Sequence, residues 1–325
     1  RAWPACAAAV ALAVASVPVH AQTWKWESGL AVTGTATNNV NLDPDDSRQS
    51  DFVTEITPSL RFNGKGERTR LDAALSVPVL LYARTGSENN TVYPSFNLLG
   101  DVDLYERILH IEGAINVSQQ FFTPFGPQPV DLANATDNRY RSTTYRVSPY
   151  LQGVASNGIA YELRNNNVWS NLNGAPVTTS NSRYTEFLAR VSTPEDRRLG
   201  VAANYDYTDT KFTDQDASLQ MQIGRVVPFY GVSPQFRVDA IVGYEDNRGT
   251  LTDYNGAVYG VGFRWRPTER TDVAGNWEHR FFGSSYHFTL DHRTPLTVWN
   301  VRVSRDVTTY PQQIANIPGG TDVAG

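Results

Sequence analysis

The chain has 325 residues, 28 Lys and Arg against 33 Asp and Glu, one Cys and a formal charge of −5. So mild an excess of acid excludes a nucleic-acid footprint and a basic anchor for anionic lipid. The lone cysteine excludes a disulfide framework.

The first 21 residues are expected to be a targeting segment. Arg1 precedes the apolar run Ala7 to Val17, and the small pair Val19 and Ala21 follows. That is the pattern of a secretory signal peptide cleaved after Ala21. Cys6 lies ahead of the apolar run, a poor place for an acylated cysteine. Removing the segment takes away Arg1 and no acid, which leaves 27 basic against 33 acidic side chains. No stretch approaches the roughly 18 consecutive apolar residues of a membrane-crossing helix. The expected organisation is therefore a signal peptide over 1–21 and one domain over 22–325. Without disulfides, an exported chain of this size must be held by burial or by closed hydrogen bonding.

From Thr23 onward, apolar and polar residues alternate in runs of about ten, the period of strands with two different faces. Leu71, Ala73, Leu75, Val77, Val79 and Leu81 oppose Arg70, Asp72, Ala74 and Ser76. Leu109, Ile111, Gly113, Ile115 and Val117 oppose His110, Glu112, Asn116 and Ser118. The pattern recurs in Phe236 to Tyr244, Tyr259 to Trp265 and Val273 to Phe281. About fifteen strands are predicted on this period, starting near residues 24, 52, 69, 92, 107, 142, 159, 183, 199, 217, 235, 257, 271, 285 and 297.

The predicted connections alternate between short turns (Gly64–Glu67, Ala155–Gly158, Pro194–Arg197, Pro267–Thr271) and longer polar loops. The loops are Asn38–Ser50, Arg84–Thr91, Phe122–Tyr140, Asn166–Asn181 and Glu245–Gly256, with Phe282–Ser285 a short exception. Bacterial transmembrane barrels have short periplasmic turns and long extracellular loops, so the first loop is expected outside. Large aromatics near strand ends, among them Trp24, Trp26, Trp265, Trp277 and Trp299, fit the two water–lipid interfaces. A soluble β-sandwich would also alternate, but charges on the polar faces would each need a partner between packed sheets. The expected fold is an all-β, antiparallel, up-and-down transmembrane β-barrel in outer-membrane lipid. An odd strand count, a polar tail over Asp306–Gly325 and the lack of a terminal aromatic strand predict a C-terminally incomplete barrel of about 18 to 20 strands when whole.

Several exact strings occur in order: Asn38-Asn39-Val40-Asn41-Leu42, Ser50-Asp51-Phe52, Thr57-Pro58-Ser59-Leu60, Pro124-Phe125-Gly126-Pro127 and Ser148-Pro149-Tyr150-Leu151. They are followed by Gly243-Tyr244-Glu245-Asp246-Asn247, His279-Arg280-Phe281-Phe282-Gly283 and Asp306-Val307-Thr308-Thr309-Tyr310. Together these resemble the PEP-CTERM system-associated outer-membrane β-barrel family of Gram-negative bacteria, across essentially the whole mature chain. The resemblance implies an outer-membrane location, a setting of exopolysaccharide and sorted-protein export, and further strands beyond the last string. Barrel-assembly machinery and exopolysaccharide or its export proteins are the partners implied. It supplies no catalytic residues and no cofactor.

The residues from which function is expected are charges on the polar faces: Arg70, Asp72, Glu112, Glu162, Arg164, Glu186, Arg190, Arg237, Asp239, Arg264, Arg266, Glu278, Arg280 and Arg302, with Arg61 and Arg146 beside them. In a wet lumen they either hold the wall together through cross-strand ion pairs or set selectivity. The abundance of Arg in the last third points to weak preference for anionic solutes such as acidic sugars. Asp43-Pro44-Asp45-Asp46 lacks the ligand spacing and glycine of a calcium loop. No Gly-x-Ser-x-Gly string occurs, and Ser118 lies some 26 Å along the strand from His110, so no enzyme is expected. His279 and Trp277 are expected at the membrane interface, and Gly243, Gly260, Gly262 and Gly275 are read as marks of tight wall curvature. The functions expected are a passive channel or assembly partner in polysaccharide export, a general diffusion porin, or a plugged surface barrel.

Overall fold

The computed structural model describes residues 23–105, 108–174, 181–214, 217–249 and 253–307. The expected signal peptide and residues 308–325 of the polar tail lie outside the described residues.

Alternation becomes one long antiparallel meander. The strands are β1 (Thr23–Thr37), β2 (Asp51–Lys65), β3 (Thr69–Ser76), β4 (Val79–Tyr82), β5 (Thr91–Val92), β6 (Ser95–Tyr105), β7 (Leu109–Phe121), β8 (Arg139–Val154) and β9 (Ala160–Asn173). They continue as β10 (Ser182–Ser192), β11 (Leu199–Phe212), β12 (Ala217–Ser233), β13 (Phe236–Gly249), β14 (Asp253–Thr268), β15 (Thr271–Arg280), β16 (Gly283–Arg293) and β17 (Val298–Arg305). One helical turn, α1 (Gly86–Asn89), interrupts the connection after β4.

The described strands number 17 rather than about fifteen, and the surplus is the work of prolines. Pro58 on β2 faces the junction of β3 and β4, where Val77 N–H still donates to its carbonyl at 3.0 Å. Pro78 has no N–H to continue that ladder. The register nonetheless runs through unchanged, from Ser59↔Ser76 to Ile56↔Val79, so β3 and β4 form one interrupted stave. Pro94 divides β5 from β6 in the same way.

The register also corrects two expected loops. Glu245–Gly256 is largely ladder, since β13 and β14 pair from Phe236↔Trp265 to Arg248↔Asp253. Asn166–Asn181 shrinks to the residues between Asn173 and Ser182, with Ser170 paired to Ser182. Polar composition there accompanies continued strand pairing, not its loss.

One face of the sheet carries exposed large apolar side chains on strand after strand: Leu30 and Val32, Leu60, Leu75, Val147, Val191, Val226, Val242, Val261 and Trp277. The other face is polar and concave: side chains of seven successive strands, from Arg190 on β10 to His287 on β16, line one cleft of about 460 Å3. Strands β1 and β17 are the edges. No ladder joins them among the described residues, and both are exposed along almost their whole length.

Buried apolar side chains gather on the concave side where it meets the long connections. Val53 of β2, Leu80 and Tyr82 of β4, Val40 of the first loop and Ala133 of the loop between β7 and β8 form this cluster.

Candidate functional site

The concave face has a roofed part and an ionic part. In the roofed part, loops 38–50, 83–90 and 122–138 fold together over β2 and β4. Ala135 N–H donates to the Val40 carbonyl at 2.9 Å, and Asn134 Nδ2 to the Asn39 carbonyl at 3.0 Å. Asn89 Nδ2 donates to Asn41 Oδ1 at 2.9 Å. Asp51, at the loop rim, accepts from the backbone N–H groups of Phe52, Arg84 and Thr85 and from the Thr85 hydroxyl. Burial pushes its carboxyl up, but these hydrogen bonds, that from the Thr85 hydroxyl foremost, outweigh it and hold the pKa at about 2. The acidic run 43–46 is organised locally: Asn39 Oδ1 accepts from Asp43 N–H at 2.9 Å, and Arg48 pairs with Asp45. Among the described residues, no group of three or more His, Cys, Asp or Glu is placed to hold a metal ion.

Thirteen of the fourteen candidate charges fall on the register positions opposite the exposed apolar residues, and Arg266 lies where the register of β14 and β15 shifts. Most are brought together in pairs and chains. Arg164 reaches Glu112 at 3.0 Å and Glu162 at 3.2 Å, lies over the Tyr150 ring, and shares Glu162 with Arg190 at 3.7 Å. Arg70 pairs with Asp72 at 3.1 Å and Arg237 with Asp239 at 3.0 Å. Glu186 accepts from Asn166. Arg302 meets no carboxylate among the described residues.

The structure adds Asp206, Arg225, Glu195, Glu245, Asp272 and Asp306 to this set. Arg225 of β12 contacts Asp206 at 3.5 Å and reaches across β13 and β14 to Glu278 of β15 at 3.0 Å. Along a flat sheet those strands stand about 14 Å apart, three spacings of roughly 4.8 Å. The wall is creased instead. Gly243 pairs with Arg225 and Gly260 with Glu278, and a Cβ on either would lie well inside contact distance of a neighbouring strand's carbonyl oxygen. These two glycines match the curvature expected of them.

A second bridge lies nearer the long-loop rim. Arg280 donates from Nη2 to Glu245 Oε2 at 2.9 Å and from Nη1 to Asp306 Oδ1 at 2.6 Å, while Phe281 N–H donates to Glu245 Oε1 at 2.6 Å. Glu245 is 0% exposed and Arg280 6%. Of the residues missed, Asp272 and Arg225 lie on alternating runs, and Glu245 and Asp306 lie within the family-like strings. Glu195 sits in a turn, where no periodicity signals its role.

The histidines are dispersed. His110 pairs with Asp103 and stacks on Tyr150, and His279 stacks on Tyr259 on the apolar face.

Fold and face together define an all-β, up-and-down antiparallel sheet with one apolar and one charged surface. No family model and no curated protein sequence matches the chain. Among solved structures it is similar to in-vitro folded OmpT, an outer membrane protein of Vibrio cholerae, with a TM-score of 0.35 and 9% identity over 89% of this chain and 95% of that one. A loop L8 deletion mutant of OmpT gives a TM-score of 0.38 and 9% identity over 83% and 98%. Outer-membrane expressed OmpT gives 0.35 and 9% over 88% and 95%. The likeness is too distant to transfer any residue or activity.

Proposed function

We propose that this chain is an outer-membrane β-barrel protein of a Gram-negative bacterium, delivered by a signal peptide and inserted by barrel-assembly machinery. Its task is passive passage of polar solutes along the charged concave face. The observation that carries the reading is the two-faced wall, with exposed Leu, Val and Trp on one surface and ion pairs on the other. An apolar surface that recurs on strand after strand is the mark of a face that meets lipid rather than water. The ordered strings that resemble the PEP-CTERM system-associated family support exopolysaccharide export as the setting. No enzymatic step is part of this function.

A second reading, a plugged surface barrel, is favoured by one specific feature. The loops around Val40 and Ala133 pack on the concave side of β2 and β4 and narrow the long-loop mouth. Single-channel conductance in planar bilayers, with and without the organism's own exopolysaccharide, separates the readings. An open conductance blocked by the polysaccharide is expected. An open conductance indifferent to it makes the protein a general diffusion porin, and silence supports the plugged barrel.

A further inference from the structure

At the short-turn rim of the concave face, three guanidinium groups converge on one carboxylate. Glu195, on the turn between β10 and β11, faces Arg237 Nη1 at 4.0 Å, Arg264 Nη1 at 3.5 Å and Arg266 Nη2 at 3.7 Å. None of these is a hydrogen-bond distance, and the Glu195 side chain is 59% exposed.

The arginines themselves are paired from behind, Arg264 and Arg266 through hydrogen bonds and Arg237 through an ion pair. Asp272 Oδ2 accepts from Arg264 Nη2 at 2.6 Å and from Arg266 Nε at 3.0 Å. Asp239 Oδ1 lies 3.0 Å from Arg237 Nε, and the Arg237 guanidinium lies over the Phe229 ring at 4.8 Å. Two strand carboxylates thus orient three guanidiniums and leave their outer Nη atoms aimed at a single point. Arg197 and Arg198 line the same cleft of about 520 Å3. Convergent, preoriented arginines are the chemistry that recognises planar or tetrahedral oxyanions. The carboxylate now at the focus is the most loosely held of the three, and it belongs to an exposed turn.

We infer that Arg237, Arg264 and Arg266 form an oxyanion-binding site at the turn-side mouth, and that Glu195 is its exchangeable internal counter-ion, displaced by a carboxylate or phosphate group of an incoming solute. The geometry favours a carboxylate, because a carboxylate already occupies the focus. The inference goes beyond the passage function: binding at this mouth requires no conduction, so silence in bilayers leaves it standing.

Isothermal titration calorimetry on the whole chain in detergent micelles, at low ionic strength, tests it with trigalacturonate, inorganic phosphate and neutral maltotriose as probes. Trigalacturonate is expected to bind and maltotriose not. Glu195→Gln removes the competing anion and is expected to tighten trigalacturonate up to about fivefold, the range of a loose exposed ion pair. The double variant Arg264→Gln/Arg266→Gln is expected to weaken it at least tenfold, because charge-assisted contacts are lost. Arg48→Gln, on the first long loop, is the control for general charge. Circular dichroism confirms that each variant retains its strands. Phosphate binding with the same variant pattern assigns the site to oxyanions generally, and binding of trigalacturonate alone assigns it to acidic sugars. No binding of either anion by the wild type and Glu195→Gln overturns the inference, as does binding that Arg264→Gln/Arg266→Gln leaves unchanged.

Discussion

At the residue scale, the ion pairs of this protein differ most in what surrounds them. Arg280 and Glu245 are almost wholly enclosed; Arg280 Nε and Nη2 both donate to Glu245 Oε2, and the contact is extended by Phe281 N–H on Oε1 and by Asp306. Removing one partner of such a pair leaves an uncompensated buried charge, at about 3 to 5 kcal/mol. Arg280→Met, which leaves the fully buried Glu245 without its cation, is therefore expected to lower the stability of the folded chain by that order in urea unfolding followed by tryptophan fluorescence. Glu245→Leu/Arg280→Met should recover part of the loss, since it deletes both charges. Arg70 and Asp72 are far more exposed, at 67% and 30% of their side chains, and Asp72→Asn is expected to cost under about 1 kcal/mol in the same assay. Equal losses for the two sites would refute the enclosed character of the Arg280 bridge. Each of Glu245, Arg280 and Asp306 stands in a separate string of the family-like set, 26 to 35 residues apart along the chain between bonded partners. Their contact is invisible in the sequence because strand pairing, not spacing, delivers it.

Strands are the next scale, and glycine and proline shape them in opposite ways. Pro78 and Pro94 cut two staves into pieces without altering register, because β2 pairs with both β3 and β4, and the offset of the β3–β6 ladder carries on in β4–β5. Gly243 and Gly260 let the wall crease so that Arg225 can reach Glu278. Gly243→Ala places a methyl against the Gly224 carbonyl, backbone that cannot yield as a flexible side chain does. Overpacking of this kind costs about 1 to 3 kcal/mol. The expected result is a smaller fraction of heat-modifiable, folded protein on cold SDS gels after refolding into micelles. Gly256→Ala is the matched control, since a Cβ there meets nothing within 4 Å. If both variants refold alike, the crease is not a constraint. Tight curvature could be suspected from glycines inside strands, but only the pairing of Gly243 with Arg225 and of Gly260 with Glu278 reveals what the curvature is for.

For the molecule as a whole, the governing fact is that one surface of the sheet is greasy along nearly every strand while the other holds the charges. Trp265 and Trp277 lie on the apolar surface, 47% and 41% exposed, and aromatics of this kind belong at a membrane interface. In vesicles of brominated phosphatidylcholine, the tryptophan emission of the inserted chain is expected to be strongly quenched relative to unbrominated lipid. Emission that brominated lipid leaves unchanged would place the apolar surface away from lipid and remove the membrane reading. Among the described residues, loops roof part of the concave face. Val40 and Ala133 lie 93 residues apart in the sequence, yet they share one apolar cluster.

Period-two alternation, by itself, determined the all-β class, the starting points of the staves and the face on which Arg164, Arg264 or Glu278 would stand, because a strand turns each successive side chain to the opposite surface. Polarity misled the reading only at strand ends: residues 245–248 and 253–256 are hydrophilic, yet their backbones remain paired. The tertiary structure alone decided the partners. Curvature carries Arg225 across two strands to Glu278, and turn geometry sets Glu195 before three arginines from different strands. Such contacts depend on how far the sheet bends, and bending is a sum over many strands that no single run of residues records.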